Sequence, residues 1–468
     1  MFNITASKNK GIFCSGKKNF FSYYEINKLI KNVVFKDKKK KLVFLLVENS
    51  IWSIINYISL MKSNHVILLL DHNIKKYLFL KFIDSFKPDY IISRADLSKI
   101  ITRKKFRLLE KNKSYYYKNL EKKNKYTFNK SKILIPTSGS SGEPKTVMLT
   151  EKGILNNSKS IIKSLKIKSS DRPVFYMPVF YSYGMSILNT HILKNCTALV
   201  TDKSFLQKDF WTFLKKYKCT SFSGVPYTYE VIVKLKLFNL FNKELKYFTQ
   251  AGGKLATKER KFIFDLVKKK GGSFYIMYGQ TEAAPRITIL NPRDFNQNIH
   301  SVGKAIYGNK IYILDKNKKK VINKIGMIYN ISKSNMLGYA RNFRDLLNKQ
   351  DAIKELSTND FGKINNKGFL TVYGRNDQEI KIRGNRLNLD DIKSNINDTS
   401  VIILNVKSKI VIISKKKIDN NKFFSKIKKK YNLNHQDFEF MIIKKFKYLP
   451  NNKIDINYFK KKINEKYK

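Results

Sequence analysis

The sequence predicts an α/β protein with more than one domain, and three observations carry that expectation. Short apolar runs alternate with helical patterns over residues 42–93, the rhythm resumes after residue 150, and beyond about residue 311 hairpin signals replace it. A chain of 468 residues with a hydrophobic fraction of 42% is too long for one ordinary core and rich enough for two or three.

The elements follow in order. Runs at 42–47, 51–61, 66–70, 77–86 and 90–92 give a βαβαβ rhythm, hence a parallel sheet with helices on its faces. Residues 103–132 are lysine-rich and poorly periodic and read as a surface excursion. Strands at 133–136 and 146–149 flank a loop of hydroxyls and glycines. Ile154, Leu155, Ser158, Ile161, Ile162 and Leu165 recur at helical spacing, an amphipathic helix capped by Thr150. Further strands are expected at 197–200, 245–249 and 274–277, with helices between them. Residues 361–374 read as two short strands joined at Asn366-Lys-Gly368. After Arg375 a smaller α+β unit begins, with runs at 401–406 and 409–414 and a lysine-dense helix around 422–430. The expected domains are therefore 1–376 and 377–468.

Charge is lopsided: 94 Lys and Arg face 35 Asp and Glu, a formal net charge of +59. The lysines are scattered together with Asn, Ile, Phe and Tyr, as an AT-rich genome supplies them. No ordered array of aromatic and basic residues suggests a base-stacking platform, so specific nucleic-acid binding is not expected, while attraction to acidic partners is. Three cysteines, Cys14, Cys196 and Cys219, form no Cys-x-x-Cys pair, which points to a reducing cytoplasm and away from structural zinc. The N-terminus lacks a signal-like apolar core, and the run from Leu42 breaks at Glu48-Asn-Ser50, so no transmembrane segment is expected.

Chemistry concentrates first in Thr137-Ser-Gly-Ser-Ser-Gly-Glu-Pro-Lys145. Gly139 and Gly142 let the backbone turn sharply and aim N–H groups at an anion, while Thr137, Ser138, Ser140 and Ser141 offer hydroxyls and Lys145 a charge. Such a loop suits a polyphosphate. It is not a Walker A loop, because its Gly-x-x-Gly-x-x-Lys spacing differs and a strand follows. Asp360 and Arg375 lie nearly equidistant from the 366–368 turn, so antiparallel pairing is expected to set a carboxylate beside a guanidinium at the hairpin's open end, where they could grip a ribose diol.

The loop 137–145 resembles the signature loop of the acyl-adenylate-forming superfamily: AMP-forming acyl-CoA synthetases, adenylation domains of peptide synthetases, and luciferases. Other segments resemble the family's further motifs, in order: Met177-Pro-Val-Phe-Tyr-Ser-Tyr-Gly-Met185 its acid-pocket segment, Gln250-Ala-Gly-Gly-Lys-Leu255 its adenine edge, and Tyr278-Gly-Gln-Thr-Glu282 its Tyr-Gly-x-Thr-Glu. Gly374-Arg-Asn-Asp-Gln-Glu-Ile-Lys-Ile-Arg-Gly-Asn-Arg386 resembles the interdomain hinge and the loop after it, and Leu449-Pro-Asn-Asn-Lys-Ile-Asp455 the C-terminal lysine motif. Thr146 and Asn452 stand where the family usually has glycine.

The resemblance implies a large N-terminal domain of layered α/β sheets with a distorted β-barrel part, and a small mobile α+β C-terminal domain. It implies that Tyr278 and Gly279, with Gly252, Gly253 and Lys254, hold adenine, that Asp360 and Arg375 hold ribose, and that Thr281 contacts the α-phosphate. Glu282 would hold magnesium, Lys453 would reach the reacting carboxylate and α-phosphate, and Asp377 would be the hinge. Lys381 to Gly384, Arg383 among them, would line a thiol tunnel. ATP and Mg2+ are the implied cofactors, and coenzyme A or a carrier-protein phosphopantetheine the implied thiol acceptor.

The pocket segment carries no aspartate where amino-acid-activating members hold the substrate ammonium, and a buried ammonium without a counter-charge costs several kcal/mol. A carboxylic acid without an α-amine is therefore expected, against a wall of Tyr181, Tyr183, Met185 and Val225, with Pro226 and Tyr227. The segments 181–184, 224–230, 249–253 and 277–282 are similar to stand-alone bacterial members found with surface-polysaccharide genes, which implies an acidic acyl carrier protein as a possible partner. An amino-acid-activating ligase and a catalytically inactive nucleotide-binding relative remain the alternatives.

Overall fold

The computed structural model describes residues 4–15, 18–32, 39–101, 105–111, 113–121, 127–137, 145–375, 379–382, 385–389, 392, 396, 401–406, 409–415, 417–418, 423, 433, 435–449 and 454–466. Val-rich and Leu-rich runs buried on both faces organise the N-terminal part. The strand Leu42–Val47 is buried at every residue and pairs in parallel with Val66–Asp71 on one side and Tyr90–Ser93 on the other. Such continuous apolar runs belong to sheets covered on both faces. The helices Ile51–Lys62 and Lys76–Phe86 supply that cover, their apolar stripes lying in separate core clusters on opposite sides of the sheet. Ser131–Pro136 extends the parallel core, and Thr146–Thr150 returns antiparallel beside it, in a sheet of eight strands.

The lysine-rich stretch expected to be a surface excursion instead contains strands Phe106–Lys111 and Tyr115–Asn119, which form a hairpin on the edge of this sheet. Its periodicity is weak because few groups are buried: Phe106 and Tyr117 point inward, and the Tyr117 hydroxyl donates to Asp96 at 2.7 Å. The exposed charges of Arg107 and Lys118, paired across the hairpin, oppose pairing of this edge with other chains.

A second sheet of five strands places Ser221–Gly224, Tyr247–Gln250 and Ser273–Gly279 in parallel, then adds Arg286–Leu290 and Lys304–Ala305 antiparallel. A separate four-stranded sheet joins Val174–Phe175 and Ala198–Val200 to the N-terminal strands Gly11–Cys14 and Phe20–Ser22. The antiparallel sheet of strands Lys320–Val321, Asn309–Leu314, Gly326–Ser332, Glu355–Ile364 and Leu370–Arg375 lies where hairpins were expected. Beyond it, Glu379–Ile382 pairs with Asn385–Asn388, and Ile402–Val406, Lys409–Ser414 and Phe438–Ile442 form a three-stranded sheet. Phe459 and Ile463 of the helix Ile456–Lys466 fill a core against that sheet. The helix expected around 422–430 lies outside the described residues, Phe423 apart.

The fold is thus α/β. Cys14, Cys196 and Cys219 are free and buried, and burial pushes the Cys196 and Cys219 thiols up to about 12. Among the described residues no helix is long and apolar enough to cross a membrane.

Helix Glu151–Leu165 begins where the sequence places its cap: the Thr150 hydroxyl accepts from the Gly153 N–H at 2.9 Å. Thr150→Ala should lower unfolding stability by about 1 kcal/mol, read as a lower urea midpoint with an unchanged slope. An unmoved midpoint would show that the cap carries no weight.

Candidate active site

The strand Ser273–Gly279 ends where the five residues Tyr278 to Glu282 turn. Gly279 is required at the bend, since a Cβ on it would lie 1.7 Å from the Pro285 carbonyl oxygen of the returning chain. Ala284 in left-handed conformation (φ 57°) completes the reversal into Arg286–Leu290.

Three side chains of this segment reach three other predicted segments. The Tyr278 hydroxyl donates to Asp360 Oδ2 at 2.5 Å. Thr281 Oγ1 is 3.0 Å from the hydroxyl of Ser182, in the pocket segment. Glu282 Oε1 accepts from the Tyr339 hydroxyl at 2.9 Å, and the ammonium of Lys145 sits 3.6 Å from the centroid of the same Tyr339 ring, a cation–π contact. Lys145, Tyr339 and Glu282 therefore form one chain of contacts from the cradle loop to the strand end.

Tyr339 escaped the sequence reading. Its strand, Gly338–Ala340, is short and lies at the sheet edge, pairing with Thr146–Thr150 so that Tyr339 faces Val147. Two backbone bonds hold it in place: Met336 N–H to the Glu282 carbonyl at 2.8 Å, and Leu337 N–H to the Met148 carbonyl at 2.9 Å. The unusual Thr146 is accommodated here, fully buried with its hydroxyl donating to the Ala340 carbonyl at 3.1 Å.

Asp360 and Arg375 are cross-strand partners, but the turn alone does not set that register. Near the turn Gly362 faces Val372; an irregularity then admits one extra residue, Tyr373, and Phe361 faces Gly374. Without this bulge Asp360 would oppose Gly374 instead of Arg375. Asp360 is 7% exposed, and its backbone N–H donates to the Thr358 hydroxyl.

At the neighbouring strand end, Gly252 is exposed with φ 81°, Lys254 is exposed, and a Cβ on Gly253 would meet Pro226 at 3.1 Å. Of the expected acid wall, Tyr181 is half-buried, whereas Tyr183, Met185 and Val225 are buried in the core cluster that also contains Ala251 and Met277. The Tyr183 hydroxyl is bonded to Thr249, with its carbonyl at 3.0 Å and its Oγ1 at 2.9 Å. Thr137 flanks the cradle, its N–H donating to the Lys145 carbonyl at 3.0 Å. Ser138, Gly139, Ser140, Ser141, Gly142, Asp377, Arg383, Gly384 and Lys453 lie outside the described residues, and Arg375 and Lys381 are described in their backbone.

The C-terminal segment nevertheless meets Tyr227 of the expected acid wall. Tyr448 and Ile454 form an antiparallel bridge around the Lys453 motif, and the Tyr448 ring packs on Tyr227 with centroids 4.5 Å apart. Burial first, and then Tyr227 and Glu230, push the Tyr448 phenol up to about 12.

Residues 13–340 match the family model described as AMP-binding enzyme. The chain belongs to the AMP-binding enzyme family. Its curated relatives include oxalate–CoA ligase of Saccharomyces cerevisiae, 26% identical over 54% of this chain and 46% of the ligase. Another is 2-succinylbenzoate–CoA ligase of Listeria innocua, 22% identical over 78% of this chain and 74% of the relative. The matched region thus spans less than half of the yeast protein. Among solved structures, o-succinylbenzoate CoA synthetase from Bacillus subtilis with its acyl-adenylate intermediate superposes with a TM-score of 0.74 at 17% identity, covering 96% of this chain and 95% of that one. This AMP-binding enzyme therefore shares that fold along nearly its whole length.

In this AMP-binding enzyme His191 is buried. Its Nδ1 donates to the Ile187 carbonyl at 2.8 Å, and its Nε2 lies 2.7 Å from the Tyr247 hydroxyl, which donates to it when the ring is neutral. Burial holds its pKa down at about 4 against an ordinary 6.5. Because the unfolded chain takes up this proton first, the group's contribution is present above about pH 6.5 and is lost as pH falls toward about 4. His191→Gln should flatten that part of the stability–pH profile, measured by denaturant unfolding across the window. An unchanged difference between wild type and variant at every pH would remove this role.

Proposed function

We propose that this chain activates a carboxylic acid with ATP, forming an acyl-AMP and releasing pyrophosphate, and then transfers the acyl group to a thiol. One observation carries the reading: Tyr278, Thr281 and Glu282 at a single strand end touch Asp360, Ser182 and, through Tyr339, the Lys145 end of the cradle. In open α/β sheets such carboxyl ends of strands face the ligand crevice.

A carboxylate is a poor acylating agent because its leaving group is oxide or hydroxide. In the proposed first step a carboxylate oxygen attacks the α-phosphorus, the bond to the bridging oxygen of the β-phosphate breaks, and pyrophosphate leaves into the loop 137–145. Thr281 would orient the α-phosphate, and Lys145 with the loop hydroxyls would hold the departing phosphates. Asp360 and Arg375 would hold the ribose, with Tyr278 and the 252–254 segment against adenine. Lys453 would meet the negative charge that develops on the phosphoryl oxygens.

Among the described residues no three His, Cys, Asp or Glu side chains cluster as a self-sufficient metal site. A single carboxylate, Glu282, suits magnesium, which keeps its waters and shares phosphate oxygens. When bound it would supply Lewis-acid neutralisation of the phosphate charge. In the second step the 377–468 unit rotates about Asp377, withdrawing Lys453 and bringing up Lys381 and Gly384. A thiol sulfur then attacks the acyl carbon, AMP leaves, and the thiol proton passes to solvent. The acceptor is coenzyme A or a phosphopantetheine on an acidic carrier protein, toward which the basic chain would be drawn.

ATP–pyrophosphate exchange over a panel of acids tests the first step, and repetition with coenzyme A or holo-carrier protein tests the second. Lys453→Ala should abolish adenylate formation yet spare thioester formation from supplied acyl-AMP; equal loss of both would remove its assigned role. Asp360→Ala should raise KM for ATP by about tenfold or more, as loss of a hydrogen bond to a charged group does. An unchanged KM would place the ribose elsewhere.

A further inference from the structure

This inference rests on the acid-activating reading and concerns which acid is taken. Arg286, the first residue of the strand Arg286–Leu290, is 3% exposed. Its backbone is pinned by Asn157, whose Nδ2 donates to the Arg286 carbonyl at 2.9 Å and whose Oδ1 accepts from the Arg286 N–H at 3.4 Å. The guanidinium carbon lies 4.8 Å from the centroid of the Tyr183 ring. Its Nη2 is buried with no hydrogen-bond partner.

Other buried cations are served differently. Arg260 donates to the carbonyls of Leu255, Ile299 and Ser301, and Lys132 to those of Leu60 and Ser63. Around Arg286 the ionisable groups are the phenols of Tyr183 and Tyr247 and the neutral imidazole of His191. A guanidinium stays charged, and a buried charge without a partner is costly. One face is covered by an aromatic ring, which offsets part of that cost but leaves in-plane donors unmatched. Tyr183 belongs to the expected acid wall with Met185 and Val225, so the cation packs against that wall.

We propose that Arg286 is a specificity residue that pairs with a second carboxylate on the substrate, so that the acid activated is a dicarboxylic acid. The same cation opposes an α-ammonium, which disfavours amino acids as substrates. The reacting carboxylate loses its charge to the adenylate; the second keeps it and remains paired with the guanidinium through both steps.

The test compares exchange with dicarboxylic acids from malonate to suberate against monocarboxylic acids of the same chain lengths, in wild type, Arg286→Leu and Arg286→Lys. Wild type should favour one dicarboxylic acid by about a hundredfold or more in kcat/KM, Arg286→Leu should lose that preference while retaining monocarboxylic acids, and Arg286→Lys should keep part of it. Equal loss of all acids in Arg286→Leu would mean that the guanidinium grips the reacting carboxylate, and overturns the proposal; so does a wild type that prefers monocarboxylic acids. A thermal-shift series with the same acids gives a readout free of turnover. Without ligand, Arg286→Leu should be at least as stable as wild type, and only chains with a cation at 286 should be stabilised by the preferred dicarboxylate. If wild type exchanges with no acid, the acid-activating reading fails, and the thermal-shift comparison still decides Arg286: no stabilisation of wild type by any dicarboxylate overturns the inference.

Discussion

The site depends on how much five consecutive residues must do at one strand end. Extended backbone sends alternate side chains to opposite faces, but a chain leaving a strand through a glycine and a tight 3-10 turn sends them in several directions. Gly279 permits that exit because no side chain could fit against the Pro285 carbonyl. Tyr278 can then lean toward Asp360 while Thr281 faces helix Ser182–Leu193 and Glu282 faces the strand Gly338–Ala340. Position is supplied by the parallel sheet beneath, and the sheet's burial makes that position stiff.

Charge at the strand end is arranged in part through an aromatic ring. Glu282 and Lys145 carry opposite signs, yet the contact seen between them runs through Tyr339, which gives its hydroxyl to the carboxylate and its ring face to the ammonium. A direct pair would satisfy both groups and leave each less available to a polyphosphate or a divalent cation. A phenol between them holds each in place more weakly, since a cation–π contact at a partly exposed site is worth about 0.5–1 kcal/mol. Both charges thus remain oriented and exchangeable, which is what a ligand carrying several negative charges requires.

The strands and helices whose residues bury themselves periodically were legible in the sequence, as 42–47, 66–70 and the Thr150 cap illustrate. The edge hairpin from Phe106 to Asn119 was not, because an edge needs few inward groups. Asp360 and Arg375 came out side by side from a symmetry argument that held only because a bulge at Tyr373 corrected the register. Motif residues with distinctive neighbours could be located, but Tyr339 and Arg286 could not: a tyrosine in a short edge strand and an arginine after Ala-Pro have no local signature. Arg286 becomes informative only once its burial and its lack of a partner are known, and both are properties of the folded chain.

On the proposed reading, a lysine that must be present for one half-reaction and absent for the next sets a limit on how tightly its segment can be held. Among the described residues, Tyr448 packs on Tyr227, a ring of the expected acid wall. An aromatic pair contributes about 0.5–1.5 kcal/mol beyond the area it buries, enough to bias a two-state equilibrium and too little to freeze it. A buried ion pair in the same place would leave an uncompensated charge each time the unit turned away, at a cost of several kcal/mol. Aromatic packing avoids that penalty, because exposing a tyrosine ring leaves no unpaired charge behind. Under the proposed mechanism the Tyr448–Tyr227 packing would hold the C-terminal segment without leaving a charge uncompensated on release, as a unit that alternates between two positions would require.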